Sequence, residues 1–87
     1  MTYEVLLQRR AQGELDGVPH DAFQAIDHAI RALGANPRPV GVKKLDGNLH
    51  RIRLGAWRVI YAVYDRERRV IVLRVARRSE HTYKRLP

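Results

Sequence analysis

Arg51 and Arg53 alternate with apolar residues in Leu49-His50-Arg51-Ile52-Arg53-Leu54, and Arg58 is the second residue of a β-forming run that starts at Trp57, directly after Gly55-Ala56. Successive residues of a strand face opposite sides of a sheet, so Arg51 and Arg53 share a face. If Gly55-Ala56 is a two-residue hairpin turn with glycine first, Arg53 stands across from Arg58 and Arg51 across from Ile60. A third strand over 70–76, reached through a five-residue loop 65–69, sets Arg58 opposite Ala76 and adds Arg74 and Arg78 to that face. A four-residue loop brings up Arg77 instead. Like charges directly opposite one another cost up to about 1 kcal/mol per pair, so folding alone gives no reason for the cluster. Guanidinium groups gathered this way suit phosphate oxygens and the negative charge that builds on phosphorus during ester cleavage. Taken singly, each arginine could equally splay into water or lay its stem over apolar neighbours.

The whole chain carries the same signal. Its 87 residues hold 17 Lys+Arg against 9 Asp+Glu, a formal charge of +8, which points to a polyanionic partner. A chain of this length builds one modest core, so residues 1–87 are expected to form a single domain, with 79–87 as a polar, basic tail. Cysteine is absent and His20, His28, His50 and His81 lack metal-ligand spacing, so neither metal nor cofactor is expected. The N-terminus has no basic segment leading into a long apolar run, and no stretch approaches the roughly 20 apolar residues of a membrane span. A cytoplasmic location is the expectation.

The elements that must position the arginines can be read from the patterning. Tyr3 to Leu7 is a short strand. Gln8 to about Leu15 favours a helix that Asp16-Gly17 ends. In a second helix, about Pro19 to Leu33, Phe23, Ile26, Ile30 and Leu33 make one apolar stripe, Asp21 suits the positive end of the helix dipole, and Gly34 stops the run. The two helices form a hairpin across a Gly-Val-Pro turn. Asn36-Pro37-Arg38-Pro39 is a loop, Val42 to Leu45 is too short to type, and Asp46-Gly47 signals a turn. Leu49 to Leu54, Trp57 to Asp65 and Val70 to Ala76 then form an antiparallel meander. The expected fold is α+β, one small sheet with helices packed on one face. Val59, Tyr61 and Val63 should meet the second helix, with Trp57 and Tyr61 as core residues, and His50 should point away from Arg51.

That order of elements, with Ala32-Leu33 before Asn36-Pro37, then Leu45-Asp46-Gly47, then His50 through Tyr61 containing Arg53-Leu54-Gly55-Ala56-Trp57-Arg58-Val59-Ile60-Tyr61, then Val75-Ala76-Arg77-Arg78-Ser79-Glu80-His81-Thr82-Tyr83, resembles the RelE/ParE superfamily of toxins from bacterial and archaeal toxin–antitoxin systems. The likeness covers nearly the whole chain. It implies that the protein cuts messenger RNA in the ribosomal A site without metal, by attack of a ribose 2′-OH on the adjacent phosphate. It also implies a cognate antitoxin that wraps the toxin, with operator DNA bound only through that antitoxin. Arg51 and Arg53 match the family's paired basic residues, Arg58 its arginine after the hairpin, Arg78 its arginine at the end of the last strand, and Tyr83 its tail tyrosine with an offset of one residue. The expected catalytic set is Arg58, Arg78, His81 and Tyr83, and the expected RNA contacts are Arg51, Arg53, Arg74 and Arg77. Where the family has lysine at the paired positions a lysine base can be argued; arginine stays protonated. His81 is the candidate base, with Tyr83 as stacker or proton donor. The same superfamily holds ParE-type toxins that poison DNA gyrase, and a basic RNA-binding module without chemistry is a third reading.

Overall fold

In the computed structural model the structure describes residues 2–78; His81 and Tyr83 therefore lie outside the described residues. Strand β1 (Glu4–Leu7) leads into helix α1 (Arg9–Asp16) and helix α2 (His20–Ala32), followed by β2 (Lys43–Asp46), β3 (Leu49–Leu54), β4 (Trp57–Tyr64) and β5 (Arg69–Arg77). The strands make one sheet in the order β1-β5-β4-β3-β2. The meander is antiparallel as expected, whereas β1 joins it at the far edge, parallel to β5 and pairing Glu4 with Arg69 through Leu7 with Val72. The sheet is thus mixed. The segment 42–45, too short to type from sequence, supplies the opposite edge as β2, turning back through Gly47 at φ +52°.

Helix α2 forms where the apolar spacing places it. Pro19 sits just outside as the N-cap residue rather than in the first turn, and Asp21 and Arg31 lie at the ends where their charges complement the helix dipole. Its stripe of Ile26, Ile30 and Leu33 is buried, together with Ala11 and Leu15 of α1, against Val59, Tyr61, Val63, Val70, Val72 and Val75 of β4 and β5. Burying each such aliphatic side chain is worth roughly 1.5–3 kcal/mol, and the helices cover only this face. Gly34 stands at a close approach: a Cβ there would lie 3.1 Å from the carbonyl oxygen of Tyr3 and 3.3 Å from that of Arg31, while the Tyr3 N–H donates to the Gly34 carbonyl at 2.7 Å. The end of α2 is thereby fastened to the start of β1.

A surface clasp ties three distant segments. Arg38, in the proline loop, donates to both carboxylate oxygens of Asp65 at 3.1 and 2.9 Å, and the Tyr3 hydroxyl donates to Asp65 at 2.6 Å. The Arg38 hydrogen bonds, followed by that of Tyr3, hold the Asp65 carboxyl down to about 2. The Asp65 carboxylate in turn raises the Tyr3 phenol above its ordinary value. Nearby, the buried Tyr61 hydroxyl donates to the Pro37 carbonyl at 2.8 Å, and burial pushes its phenol up to about 12.

A cationic strip on the sheet face away from the helices

The turn at Gly55-Ala56 sets the register that positions the arginines. Gly55 has φ +60°, a conformation that glycine adopts without the steric cost of a side chain. The ladder that follows pairs Arg53 with Arg58, Arg51 with Ile60 and Leu54 with Trp57, as the two-residue turn requires. Partners directly opposite in an antiparallel pair project to the same side, so Arg51, Arg53 and Arg58 share a face. Val59, Tyr61 and Val63 take the other one, against the helices.

Between β4 and β5 the loop is shorter than the five residues expected. Tyr64 pairs with Arg69, which leaves four residues, 65–68, in the connection. By itself that register would put Arg77 on the face of Arg58. The pairing then slips: Tyr61 faces Val72 while Ile60 faces Arg74, so Leu73 is an extra residue in β5, a β-bulge. Beyond it Arg58 faces Ala76, and alternation carries Arg74, Ala76 and Arg78 to the arginine face. The ladder runs one residue past β5, since the Arg78 N–H donates to the Ala56 carbonyl at 2.6 Å.

The four residues most central to the sequence reading, Arg51, Arg53, Arg58 and Arg78, therefore come together from three neighbouring strands beside one turn. Arg53 and Arg78 are exposed, whereas Arg58 is only 5% exposed, and its Nη2 donates to the Arg78 carbonyl at 3.4 Å. A guanidinium held among neighbours keeps a set geometry, which is what a preorganised phosphate site requires.

Two other arginines are directed elsewhere. Arg74 starts on the same face but turns to α1, its Nε donating to the two carboxylate oxygens of Glu14 at 2.9 and 3.2 Å; Glu14 also accepts the Val75 N–H at 2.8 Å. Arg77 lies opposite Trp57 on the helix side of the sheet, with its guanidinium carbon 4.9 Å from the Trp57 ring centroid, a cation–π contact. Neither is placed with Arg58, because an acidic partner captures one and strand alternation removes the other. His50 points away from Arg51 and is 3% exposed. It stacks on Tyr61 with centroids 5.6 Å apart, and its Nδ1 lies 2.7 Å from the Asn48 carbonyl. A carbonyl only accepts, so Nδ1 carries the proton there.

Sequence reasoning missed Lys43. It is the cross-strand partner of Arg51, which places it on the arginine face at the sheet edge, while Lys44 pairs with His50 on the other face. Its face follows only from the pairing of β2, a strand of four exposed residues without alternation. A cavity of about 520 Å³ opens on the helix side, among β1, α1 and α2, lined by Tyr3, Val5, Leu15, Phe23 and Ile30. Lys43, Arg53 and Arg78 stand instead on the open surface around the buried Arg58, which suits a polymer lying across the sheet better than an enclosed small molecule.

Comparison with known proteins places the chain in a family. Residues 5–82 match the model described as the ParE toxin of the type II toxin–antitoxin system parDE. A protein of Methanocaldococcus jannaschii named as toxin RelE1 is 30% identical over 89 residues, 97% of this chain and 98% of that one. The RelE of the Pyrococcus horikoshii RelE–RelB complex superposes with a TM-score of 0.82 at 29% identity, over 92% of this chain and 99% of that chain. The isolated Escherichia coli RelE toxin shares the fold, with a TM-score of 0.79 at 20% identity over 94% of this chain and 92% of that one.

Proposed function

This chain belongs to the RelE/ParE superfamily of type II toxins, and from that premise we propose that it is a RelE-like messenger RNA endoribonuclease, acting without metal on the ribosome in the cytoplasm. The observation that carries the reading is the placement of Arg51, Arg53 and Arg58 on the sheet face away from the helices, with the Arg78 backbone at the Arg58 guanidinium. In the reaction a ribose 2′-oxygen bonds to the neighbouring phosphorus as the bond from phosphorus to the 5′-oxygen breaks. One proton leaves the 2′-OH and one reaches the departing 5′-oxygen. Arg58 and Arg78 bracket the scissile phosphate and stabilise the extra negative charge of the transition state, while Arg51 and Arg53 hold flanking phosphates of messenger or ribosomal RNA. Arginine does not serve as the base. Proton transfer is assigned to His81, with Tyr83 stacking on a base or donating to the leaving oxygen.

A cognate antitoxin completes the proposal. The Pyrococcus RelE is a toxin solved with RelB, and a net charge of +8 calls for a partner that brings acidic groups to the arginine face. Operator DNA would be bound through that antitoxin. A second reading, poisoning of DNA gyrase, is favoured by the match to a model described for ParE.

Purified protein added to a translation reaction should produce codon-phased breaks in the messenger, mapped by primer extension, with no effect in a gyrase supercoiling assay. The reverse result selects the gyrase reading, and inactivity in both leaves an RNA-binding module. Arg58→Ala should reduce cleavage about 100- to 1,000-fold, the usual effect of losing one transition-state donor. Because Arg58 is buried, exposed Arg53→Ala is the companion variant, with circular dichroism confirming both folds. Full cleavage by folded Arg58→Ala would remove the clamp from the mechanism.

A further inference from the structure

We propose that Lys43 extends the phosphate track to the edge of the sheet, so that single-stranded RNA crosses the strands from the end of β5 over β4 and β3 to β2. The inference rests on the nuclease reading above and adds a binding residue and a path to it. Lys43 pairs with Arg51, Arg53 pairs with Arg58, and Arg58 reaches the Arg78 backbone. Cations from adjacent strands therefore succeed one another across three interstrand gaps, roughly 14 Å at the usual spacing. Lys43 is exposed on an edge strand, where a flexible ammonium can follow a backbone phosphate beyond the fixed guanidinium groups. The strip thus has a rigid end near the buried Arg58 and an adaptable end at Lys43. The first is suited to the reacting phosphate, the second to a neighbouring one.

Lys44 supplies an internal control, having the same charge, the same strand and comparable exposure, but the opposite face through its pairing with His50. Binding of the full-length protein to a short 2′-O-methyl RNA, which lacks the attacking hydroxyl, is measured by fluorescence anisotropy over a salt series. For single-stranded nucleic acid each phosphate contact contributes about 0.7 to the slope of log affinity against log salt. Lys43→Ala should lower the slope magnitude by about that amount and weaken binding several-fold at moderate salt, while Lys44→Ala should leave the slope unchanged. Equal behaviour of the two variants would mean that only net charge matters and would overturn the assignment. Arg53→Ala reports on the parent reading separately. Wild-type binding that weakens with Arg53→Ala but not with Lys43→Ala rejects the extended track, as does failure of the wild type to bind free RNA, while the nuclease reading stands or falls separately on cleavage in the translation reaction.

Discussion

Removing the Glu14 carboxylate should cost this small domain about 2 kcal/mol, and the size of that loss follows from where β1 ends. β1 pairs only with residues 69–72 of β5, so the Val75 N–H lies past the end of its neighbouring strand. Glu14 of α1 takes that N–H at 2.8 Å and binds the Arg74 Nε at 2.9 Å, with Arg10 at 3.6 Å from the same carboxylate. A hydrogen bond to a charged group is worth about 1.5–3 kcal/mol. Water can reach part of this site, since the Glu14 and Arg74 side chains are 24% and 32% exposed, which brings the N–H bond toward the lower limit and the ion pair to about 1 kcal/mol or less. Glu14→Ala loses both, whereas Glu14→Gln keeps an oxygen for Val75 and should lose about 1 kcal/mol. With a urea m-value of about 1 kcal/mol/M for so small a protein, the unfolding midpoint should fall by about 2 M in the first variant and about 1 M in the second, at unchanged m. In a double-mutant cycle, Arg74→Gln should add little to Glu14→Gln. A midpoint within about 0.5 M of wild type for Glu14→Ala would refute the claim that this carboxylate closes the open end of the sheet.

Three further outcomes are expected. The Asp65 carboxyl is depressed to about 2, so its contribution is present above the unfolded value near 3.9 and is lost as pH falls toward 2; the stability gap between wild type and Asp65→Asn, measured by denaturation, should close across that interval and stay constant from pH 5 to 7. Tyr61 is shifted the other way, to about 12, which makes its contribution complete below pH 10 and lost between 10 and 12, so ultraviolet titration at 295 nm should show a phenolic step near 12 that disappears in Tyr61→Phe. Gly34→Ala sets a Cβ against the backbone oxygens of Tyr3 and Arg31, and thermal unfolding should report a loss of about 1–3 kcal/mol; a neutral result would show that the junction of α2 and β1 has slack.

Local chemistry made half of the site legible in advance. Gly55-Ala56 fixes a turn type, a turn type fixes a register, and the register sets Arg53 beside Arg58 without any long-range information. The spacing of Ile26, Ile30 and Leu33 does the same for the helix that covers the opposite face. What escaped depends on partners far apart in sequence or on segments with little pattern. The parallel docking of β1 on β5 closes a long loop of chain that no local signal announces. Lys43 sits in a strand of four residues, all exposed, which gives no alternation to read. Glu14, on a short helix that contains Gly13, gains its importance from the strand end it meets. The clasp of Tyr3, Arg38 and Asp65 joins three loop-adjacent positions that only the folded sheet brings together.

The bulge at Leu73 shows how one residue decides which arginines serve the site. Val70 and Val72 point to the helices, and strict alternation from them would turn Arg74 into the core beside Val59 and expose Val75. Burying an unpaired guanidinium would cost several kcal/mol. The extra residue reverses the parity: Val75 enters the core at 2% exposure, Arg74 meets Glu14 instead, and Arg77 moves to the ring of Trp57. The same shift sets small Ala76 opposite Arg58, leaving room beside the guanidinium, and brings the Arg78 backbone to its Nη2. Core packing and the proposed phosphate clamp thus impose the same requirement on β5. A sequence rich in β-formers from Val70 to Ala76 conceals that requirement, because every residue there suits a strand and only the burial of charge determines where the alternation must break.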